Sequence, residues 1–453
     1  MLVLAYTFKG GIHVDEHKHT SKCETVIIPT PPVVKISMNQ SIGAPATPIV
    51  KKGDTVKIGQ VIGEVPESAL GCPVHASVSG TVTGIEETRV TDGSINKVVV
   101  IESDGEDSLH ESVVPFTGNI AEMPRDEIIE KIRLAGITGM GGAAFPTYAK
   151  IKSAIGKAEY LIVNCAECEP FITADHRLLL EDAESVIAGV KILLRATGAP
   201  QAYIAIEDNK ADAAKKVQKK LRGVDFITVK MLKTKYPQGD ERQLIFALTG
   251  RELAAGKLPA DAGCVIFNAA TCAAVYRAFA DGMPLVRRTL TVSGDCIKNP
   301  SNLSVPVGTT ASYLVEQCGG LTKSPEKLIA GGPMMGQAQW DPDMPTKKST
   351  SSLLLLSADY SRKPSTPAVC IRCGRCVKNC PMRLMPAYIA SFVQKDDMEN
   401  AEKYGAMSCV ECGSCSYNCP GKVEIVQYIR VAKNHIRTEG ARMKAAREAS
   451  EKK

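Results

Sequence analysis

Apolar and polar residues alternate along much of the first quarter of the chain. Residues 26–115 contain stretches such as GAPATPIVKKGDTVKIGQVIGEV and HASVSGTVTGIEE, in which Gly and Pro separate short alternating runs. Because successive side chains of a strand point to opposite faces, this pattern predicts short strands with one buried face. We expect a β domain over residues 1–120.

The spacing of apolar residues changes after residue 120. Four short runs rich in β-branched or aromatic residues, YLIVN, AYIAIED, DFITVKML and CVIFN, are interspersed with helical segments such as ADAAKKVQKKLR, ERQLIFALTG and TCAAVYRAFADG. Strands that alternate with helices favour a mostly parallel α/β sheet, here over residues 121–285. Ligands of such sheets bind beyond the carboxyl ends of the strands, where NCAECEP and Asn268 follow two of these runs.

The rest of the chain divides into four further parts. Residues 286–345 return to a strand-like pattern and predict a small α+β module, and residues 346–367 are rich in Ser, Thr, Lys and Pro and predict a linker. A cysteine-dense domain is expected over 368–430. Residues 431–453 predict a basic helix or tail, which is a solvated surface or, as an alternative, a docking element for an acidic partner or a membrane surface.

Composition narrows the class of protein. A chain of 453 residues is too long for one core, and its net charge of +6 is too small to indicate nucleic-acid binding. No apolar run approaches the roughly 20 residues of a membrane span, and the first residues lack the pattern of a secretion signal. The sequence therefore predicts a cytoplasmic location. Sixteen cysteines in that compartment indicate metal or redox chemistry, because disulfides are rare there.

Two copies of one cysteine motif lie near the end of the chain. CIRCGRCVKNCP and CVECGSCSYNCP both follow the Cys-x2-Cys-x2-Cys-x3-Cys-Pro pattern of two-cluster ferredoxins, in which the fourth cysteine ligates the other cluster. The alternative, structural zinc, usually has paired Cys-x-x-Cys arms. The helical pattern between the motifs predicts a helical domain. The predicted ligands of cluster one are Cys370, Cys373, Cys376 and Cys419, and those of cluster two are Cys409, Cys412, Cys415 and Cys380.

A glycine-rich loop provides a candidate site for a phosphate group. Gly139, Gly141 and Gly142 precede Pro146, which opens a predicted helix. Glycines let backbone N–H groups approach a phosphate, the helix N-terminus favours its charge, and Lys150 adds a cation one turn later. A loop of this kind is equally typical of a plain turn. The NCAECEP stretch leaves a similar choice between a Cys-x-x-Cys thiol or metal site and an acidic ligand pocket.

In this order, GxGGxxFPTxxK, NCAECEPFITADHR, YPQGDERQL and FNAAT resemble motifs of the NADH-binding flavoprotein subunit of respiratory complex I. With FKGGIH, the GAPA–KKGD segment and the tandem cysteine motifs, nearly the whole chain resembles the RnfC family, the C subunits of the Rnf ion-translocating electron-transport complexes. The resemblance implies a multidomain α/β protein. Its expected parts are a barrel-sandwich domain, a complex I flavoprotein-like FMN domain, a β-grasp (soluble ligand-binding) domain and a two-cluster ferredoxin domain.

The resemblance also implies the site residues. The residues expected to hold the FMN phosphate and ribityl chain are Gly139, Gly141, Gly142, Lys150, Asn268 and Thr271. The residues expected beside the isoalloxazine are Asn164, Glu167 and Gly239, and those expected at the nicotinamide and ribose are Glu169, Asp240 and Glu241. Glu167 and Glu169 are the catalytic candidates, which position the nicotinamide rather than transfer its hydride. On this interpretation, Cys165 and Cys168 are small packing residues. Ala166 stands where the complex I flavoprotein has Asp.

The function implied by the resemblance is oxidoreduction in an ion-transporting complex. Electrons pass between NAD(H), FMN and two [4Fe–4S] clusters, because hydride chemistry needs a flavin before one-electron carriers. Expected partners are the membrane-embedded and ferredoxin-like subunits, with the chain bound peripherally at the cytoplasmic face of the membrane. The complex couples ferredoxin:NAD+ oxidoreduction to transport of Na+ or H+. Two alternatives are a flavin and iron–sulfur cobalamin reductase, and a cluster-bearing scaffold subunit without its own flavin activity.

One segment near the start has no role in this interpretation. GGIHVDEHKHTSKC contains His13, His17, His19 and Cys23, whose spacing is compatible with a metal site. A polar surface segment is the favoured interpretation. The resemblance accounts for the glycines and for His13, and it assigns no role to His17 and His19.

Overall fold

The computed structural model describes residues 5–90, 93–254, 256–360 and 368–451, with side chains as far as residue 443. Two compact units are present. The first contains residues 1–6, 16–234 and 258–361, and the second contains residues 7–15, 235–257 and 362–453.

The N-terminal β domain belongs to the first unit. Its strands form a four-stranded sheet in the order β2-β8-β7-β4 and a three-stranded sheet in the order β3-β5-β6, both antiparallel. The strands of these two sheets are β2 (Val33–Ser37), β3 (Thr47–Pro48), β4 (Thr55–Val56), β5 (Val61–Glu64), β6 (Val74–His75), β7 (Gly80–Arg89) and β8 (Ile95–Ser103), and the preceding strand β1 (Thr25–Ile27) belongs to another sheet. Alternate residues of β2, Val34 and Ile36, are buried, so the predicted alternation is confirmed.

The central domain is built on a parallel sheet in the order β11-β10-β9-β12. Its strands are β9 (Tyr160–Cys165), β10 (Gln201–Glu207), β11 (Ile227–Leu232) and β12 (Cys264–Asn268). The helices are α1 (Arg125–Leu134), α2 (Thr147–Ala154), α3 (Ala174–Glu181), α4 (Ala183–Thr197), α5 (Ala211–Lys220), α6 (Glu241–Thr249) and α7 (Ala269–Ala280), with 3-10 turns at Asp208–Lys210 and Pro259–Ala262. The predicted parallel α/β sheet is confirmed.

Helix α4 fixes the packing of this domain. Asp182 caps its N-terminus by accepting a hydrogen bond from the Ser185 N–H, and Gly198, at φ 77°, ends it in the left-handed conformation. A Cβ added to Gly189 would lie 1.8 Å from the Cys272 carbonyl oxygen. Only glycine therefore allows α4 and α7 to approach this closely.

A six-stranded sheet forms the third part of the first unit, in the order β1-β14-β13-β17-β15-β16. Its further elements are β13 (Arg287–Ser293), β14 (Ser301–Pro306), α8 (Ala311–Gln317), β15 (Lys327–Ala330), β16 (Gln337–Gln339) and β17 (Ser352–Leu356), followed by a 3-10 turn at Ala358–Tyr360.

The predicted linker at 346–367 is wrong where the structure describes it. Strand β17 lies between β13 and β15, and all five of its residues are buried. A strand covered on both faces is a continuous apolar run rather than an alternating one, which explains why the pattern concealed it. Residues 361–367 lie outside the described part. Strand β1, predicted within the first β domain, pairs with β14 and extends this sheet.

The second unit contains the cysteine-dense domain. Its helices are α9 (Arg375–Lys378), α10 (Pro386–Val393), α11 (Met398–Lys403), α12 (Ser414–Tyr417) and α13 (Ile425–Glu451), with a 3-10 turn at Ala406–Ser408. The predicted helical domain is confirmed. Helix α13 begins before the predicted tail at 431, because its first turns bury Ile425 and Ile429 in the core with Ile389. None of the described helices has the length and apolar character needed to cross a bilayer.

Candidate functional site

Two asparagines meet at the carboxyl edge of the parallel sheet. Asn164 in β9 and Asn268 in β12 are register partners. The Asn164 Oδ1 accepts a hydrogen bond from the Ala166 N–H at 3.1 Å, and the Asn268 Oδ1 accepts one from the Ala270 N–H at 2.9 Å, which caps α7. The structure thus brings these predicted site residues together at the edge where ligands of such sheets bind.

The glycine loop lies against the same edge. The Met140 N–H donates to the hydroxyl of the buried Thr271 at 3.1 Å, and the Arg288 guanidinium donates to the Met140 carbonyl at 3.0 Å. A Cβ on Gly141 would lie 3.0 Å from the Asn268 side chain, whereas one on Gly142 would meet nothing within 4 Å. The loop is therefore anchored on one side and open on the other, which fits a cradle for a phosphate-bearing cofactor.

Lys150 lies on the helix that follows this loop. Helix α2 begins after Pro146, as predicted. The Lys150 ammonium donates to the Ile266 carbonyl at 3.1 Å, next to the end of β12. The predicted cation is therefore fixed to the strand that carries Asn268.

The two catalytic candidates bind backbone groups of their own chain. The Glu167 carboxylate accepts hydrogen bonds from the N–H groups of Asp175, at 2.7 Å, and His176, at 3.3 Å, at the start of α3. The Glu169 carboxylate accepts bonds from the N–H groups of Met334, at 3.0 Å, and Met335, at 2.9 Å. Both carboxylates thus help to hold the acidic loop in place.

Asp175 lies within the NCAECEPFITADHR motif, but the sequence assigned it no role in the site. Its carboxylate accepts a hydrogen bond from the Asn268 side-chain amide, and burial, followed by the charge of Glu167, raises the pKa of Asp175 to about 6. With Met140 and Arg288 it lines a cavity of about 330 Å³ that is otherwise mostly apolar. The available signal was the position of Asp175 at a helix start, eight residues after Glu167.

The cysteines of NCAECEP differ in their surroundings. Cys165 is buried in the main core, where burial, and then the charge of Asp175, raises the pKa of its thiol well above the ordinary value. Cys168 is half-buried. The packing interpretation of Cys165 thus agrees with its surroundings.

Gly239, Asp240 and Glu241 belong to the second unit, whereas the other predicted FMN and nucleotide residues belong to the first. The Asp240 carboxylate caps α6 by accepting bonds from the N–H groups of Arg242 and Gln243, and Glu241 lies in the first turn of that helix. Burial raises the pKa of Asp240. Asp240 therefore shapes its loop, as Glu167 and Glu169 do in the first unit.

The segment YPQGD packs on the cysteine-dense domain within the second unit. The hydroxyl of the buried Tyr236 donates to the Cys412 carbonyl at 2.7 Å. Gln238 is fully buried, and its side-chain amide has no hydrogen-bond partner among the described residues.

The thiol of Cys415 has three other cysteine thiols in its neighbourhood. Burial raises the pKa of the Cys415 thiol to about 12, and three neighbouring thiols add to the rise. These neighbours are Cys409, Cys412 and Cys380. The set is the one predicted for cluster two, including the cysteine from the other motif. Among the described residues, no three metal-binding side chains lie together as they would around a single ion.

The cysteines predicted for cluster one are less enclosed. Cys376 is buried, and burial, with a smaller contribution from Cys370, raises the pKa of its thiol. Cys419 is half-buried against the helical core, whereas Cys370 and Cys373 are exposed. The two sets therefore differ in their access to solvent.

Comparisons with known proteins agree with this arrangement. Four family models match the chain in sequence: an RnfC barrel-sandwich hybrid domain at 6–106, a Nuo51 FMN-binding domain at 132–277, an SLBB domain at 289–338 and a 4Fe-4S dicluster domain at 364–420. The fold and the sites therefore define an electron-transfer protein that uses FMN and two [4Fe–4S] clusters.

Curated relatives identify the family. The chain is 46% identical over 432 residues to the C subunit of the Na(+)-translocating ferredoxin:NAD(+) oxidoreductase complex of Acetobacterium woodii, covering 95% of this chain and 97% of that protein. It is 43% identical to the C subunit of the proton-translocating complex of Clostridium ljungdahlii, over 97% and 96% of the two chains. The chain belongs to the RnfC family, the C subunits of ion-translocating oxidoreductase complexes. This assignment favours the Rnf prediction over a cobalamin reductase.

A solved structure supports the fold. An NAD+-reducing [NiFe]-hydrogenase in its H2-reduced state matches with a TM-score of 0.50 at 19% identity, over 70% of this chain. The chain spans less than two thirds of that protein, 63%. At this identity, the likeness concerns the fold alone.

Proposed function

We propose that this chain passes electrons between NAD(H) and two [4Fe–4S] clusters through FMN bound at the carboxyl edge of the β9–β12 sheet. The observation that carries the proposal is the glycine loop, which is anchored at the sheet edge where Asn164 and Asn268 lie. The same chain also brings three cysteine thiols close to that of Cys415. A scaffold subunit without flavin would not need this open loop.

The proposed FMN site relies on backbone N–H groups more than on charged side chains. Gly142 leaves space for a phosphate against loop N–H groups, while Thr271 and Arg288 hold Met140 and keep the loop from closing. Bound FMN supplies the exchange between hydride pairs and single electrons. The residues of the first unit proposed to contact it are Gly139, Gly141, Gly142, Lys150, Asn164, Asn268 and Thr271.

Glu167, Glu169 and Asp240 act in this proposal as positioning residues. Each carboxylate is bound to backbone N–H groups, so its role is to fix the loop on which it lies. Preorganised loops keep the reactants within reach, and positioning of this kind lowers a reaction barrier by several kcal/mol. Glu241 remains the proposed contact for the ribose hydroxyls.

Thr271→Val is expected to weaken FMN binding about tenfold. The substitution leaves the buried Met140 N–H without its acceptor, which costs about 1–3 kcal/mol and loosens the glycine loop. Titration of flavin-free protein with FMN, followed by quenching of flavin fluorescence, measures the change. Thr228→Val, at an exposed strand position, is the matched control. Wild-type protein that binds no FMN would overturn the proposed function.

The electron partner is proposed to dock at cluster one. Cys370 and Cys373 are exposed, and exposed cations lie among them at Arg372, Arg375 and Lys378. This surface suits an acidic iron–sulfur protein, such as the proposed ferredoxin-like subunit. Ion transport is assigned to membrane-embedded partners, and the chain to the cytoplasmic face of the membrane.

Reversing these three cations to Glu is expected to raise the KM for an acidic two-cluster ferredoxin at least about tenfold, because complementary charge becomes repulsive. Electron transfer from NADH to the ferredoxin at several salt concentrations measures this. A matched control reverses three exposed cations on and after α5, Lys215, Lys219 and Arg222. Equal effects of the two triple variants would contradict the proposed docking surface.

A further inference from the structure

The His-rich segment near the start of the chain contains a lysine that binds the acidic loop. Lys18 donates hydrogen bonds from its ammonium to the carbonyls of Glu167 and Glu169, each at 2.8 Å, and of Ile172 at 2.5 Å. These three carbonyls lie about 150 positions further along the chain. One cation thus gathers most of the loop that contains both acidic candidates.

A second lysine binds the same loop. Lys210, just before α5, donates to the Ala166 carbonyl at 2.7 Å and forms a buried ion pair with Glu207 at 2.8 Å. Burial, and then the charge of Lys210, lowers the pKa of Lys18. The positive charges of the two ammonium groups repel each other. The carbonyl oxygens that accept their hydrogen bonds offset this repulsion.

Other contacts fasten the segment around Lys18 to the loop. The Glu16 carbonyl accepts a hydrogen bond from the Phe171 N–H at 2.9 Å, and His17 stacks on the Phe171 ring with 4.8 Å between ring centroids. The hydroxyls of Thr20 and Thr173 are hydrogen-bonded at 2.5 Å. Residues 16–20, called here the strap, therefore cover the loop from one side.

The loop has a conformation that needs such support. Glu167 and Phe171 have φ angles of +51° and +70°, in the left-handed region that non-glycine residues rarely adopt. Such residues cost about 1–3 kcal/mol each and persist where surrounding contacts over-determine them. The three carbonyl bonds from Lys18 extend over residues 167–172, a stretch that includes both of these residues.

We propose that Lys18 is a positioning residue of the nucleotide site, and that its ammonium holds residues 166–172 in the shape that receives the nicotinamide. The inference rests on the proposed function. It gives the strap a role in the site that neither a metal site nor a plain surface segment would have. Lys18 acts through the backbone of the loop and is assigned no contact with the substrate.

Lys18→Met removes the ammonium and retains an apolar stem of similar length. The KM for NADH is expected to rise at least about tenfold, while kcat changes less than about threefold, because the loop still samples the competent shape. Hydrogen exchange of the amides at 165–172 is expected to become faster in the purified protein without NADH. A role in stability alone would leave the KM of the folded fraction unchanged.

Lys22→Met is the matched control, since Lys22 is an exposed lysine in the same region. If Lys18→Met retains both the wild-type KM and the wild-type amide exchange, the proposal is overturned. If Lys18→Met does not fold, Lys18→Gln, which keeps a donor and lacks the charge, is compared in the same way. Wild-type protein that neither binds FMN nor oxidises NADH would refute the proposed function instead, and amide exchange would still test the contact of Lys18 with the loop.

Discussion

Replacing Cys380 with alanine is expected to remove the cluster whose other ligands are in the second motif. The Cys380 thiol contributes to the raised pKa of three thiols, those of Cys409, Cys412 and Cys415. The predicted ligands of cluster one do not include Cys380, so that cluster loses no ligand. About half of the iron should be lost, because a cube needs four thiolates and the remaining cluster keeps its own set.

Electron paramagnetic resonance of protein reduced by dithionite, together with iron and sulfide counts, distinguishes the two clusters. NADH should still reduce bound FMN in Cys380→Ala, because the proposed FMN loop and sheet edge belong to the first unit and Cys380 to the second. Cys23→Ala, at a half-buried cysteine outside both motifs, is the control. The complementary variant Cys419→Ala should remove the other signal. Loss of that same signal in Cys380→Ala would refute the crossed ligand sets.

The predicted ligand sets of the two clusters rest on rules that can be read from the sequence. Cluster ligands occur at fixed short spacings, because three thiolates must reach one cube from one turn of chain. Asn164 and Asn268 could be placed for a related reason. Both end predicted strands of a parallel sheet, and carboxyl ends of such strands meet at one edge. Local rules fix both features.

The roles of the acidic residues depended on contacts distant in sequence. Glu169 binds the N–H groups of Met334 and Met335, about 165 positions away, and no local pattern predicts such a pairing. Glu167 was closer to being predictable, because α3 begins seven residues later and free N–H groups at a helix start attract carboxylates. A carboxylate in a ligand-binding motif can therefore serve the loop itself.

The domain boundaries that the sequence did not predict also depend on contacts between distant parts of the chain. Strand β17 was hidden because all five of its residues are buried, so its sequence does not alternate between apolar and polar positions. The YPQGDE segment resembles a flavin-site motif, yet it belongs to the compact unit of the cluster cysteines, with Tyr236 bound to the Cys412 carbonyl. The order of the motifs predicted which domains are present. Contacts between distant segments decide which residues belong to each domain.

Lys210→Met is expected to destabilise the first unit by about 3–5 kcal/mol, which corresponds to a fall in Tm of about 6–15 °C. The Lys210 ammonium and the Glu207 carboxylate are almost completely buried, with 3% and 1% of their side chains exposed. Burial by itself would lower the pKa of Lys210, but the carboxylates of Glu207 and Glu167 raise it, so the lysine remains charged. Removal of the cation leaves a buried carboxylate without its counterion.

Differential scanning calorimetry of wild type, Lys210→Met and the double variant Glu207→Leu/Lys210→Met measures this effect. The double variant should recover at least about half of the loss, because it removes the uncompensated charge together with its partner. Lys215→Met, at an exposed position on α5, should change Tm by less than about 2 °C. If Lys210→Met were as stable as Lys215→Met, the ion pair would not support the loop. A double variant no more stable than Lys210→Met would instead assign the loss to the bond that Lys210 makes with the Ala166 carbonyl, and hence to the acidic loop itself.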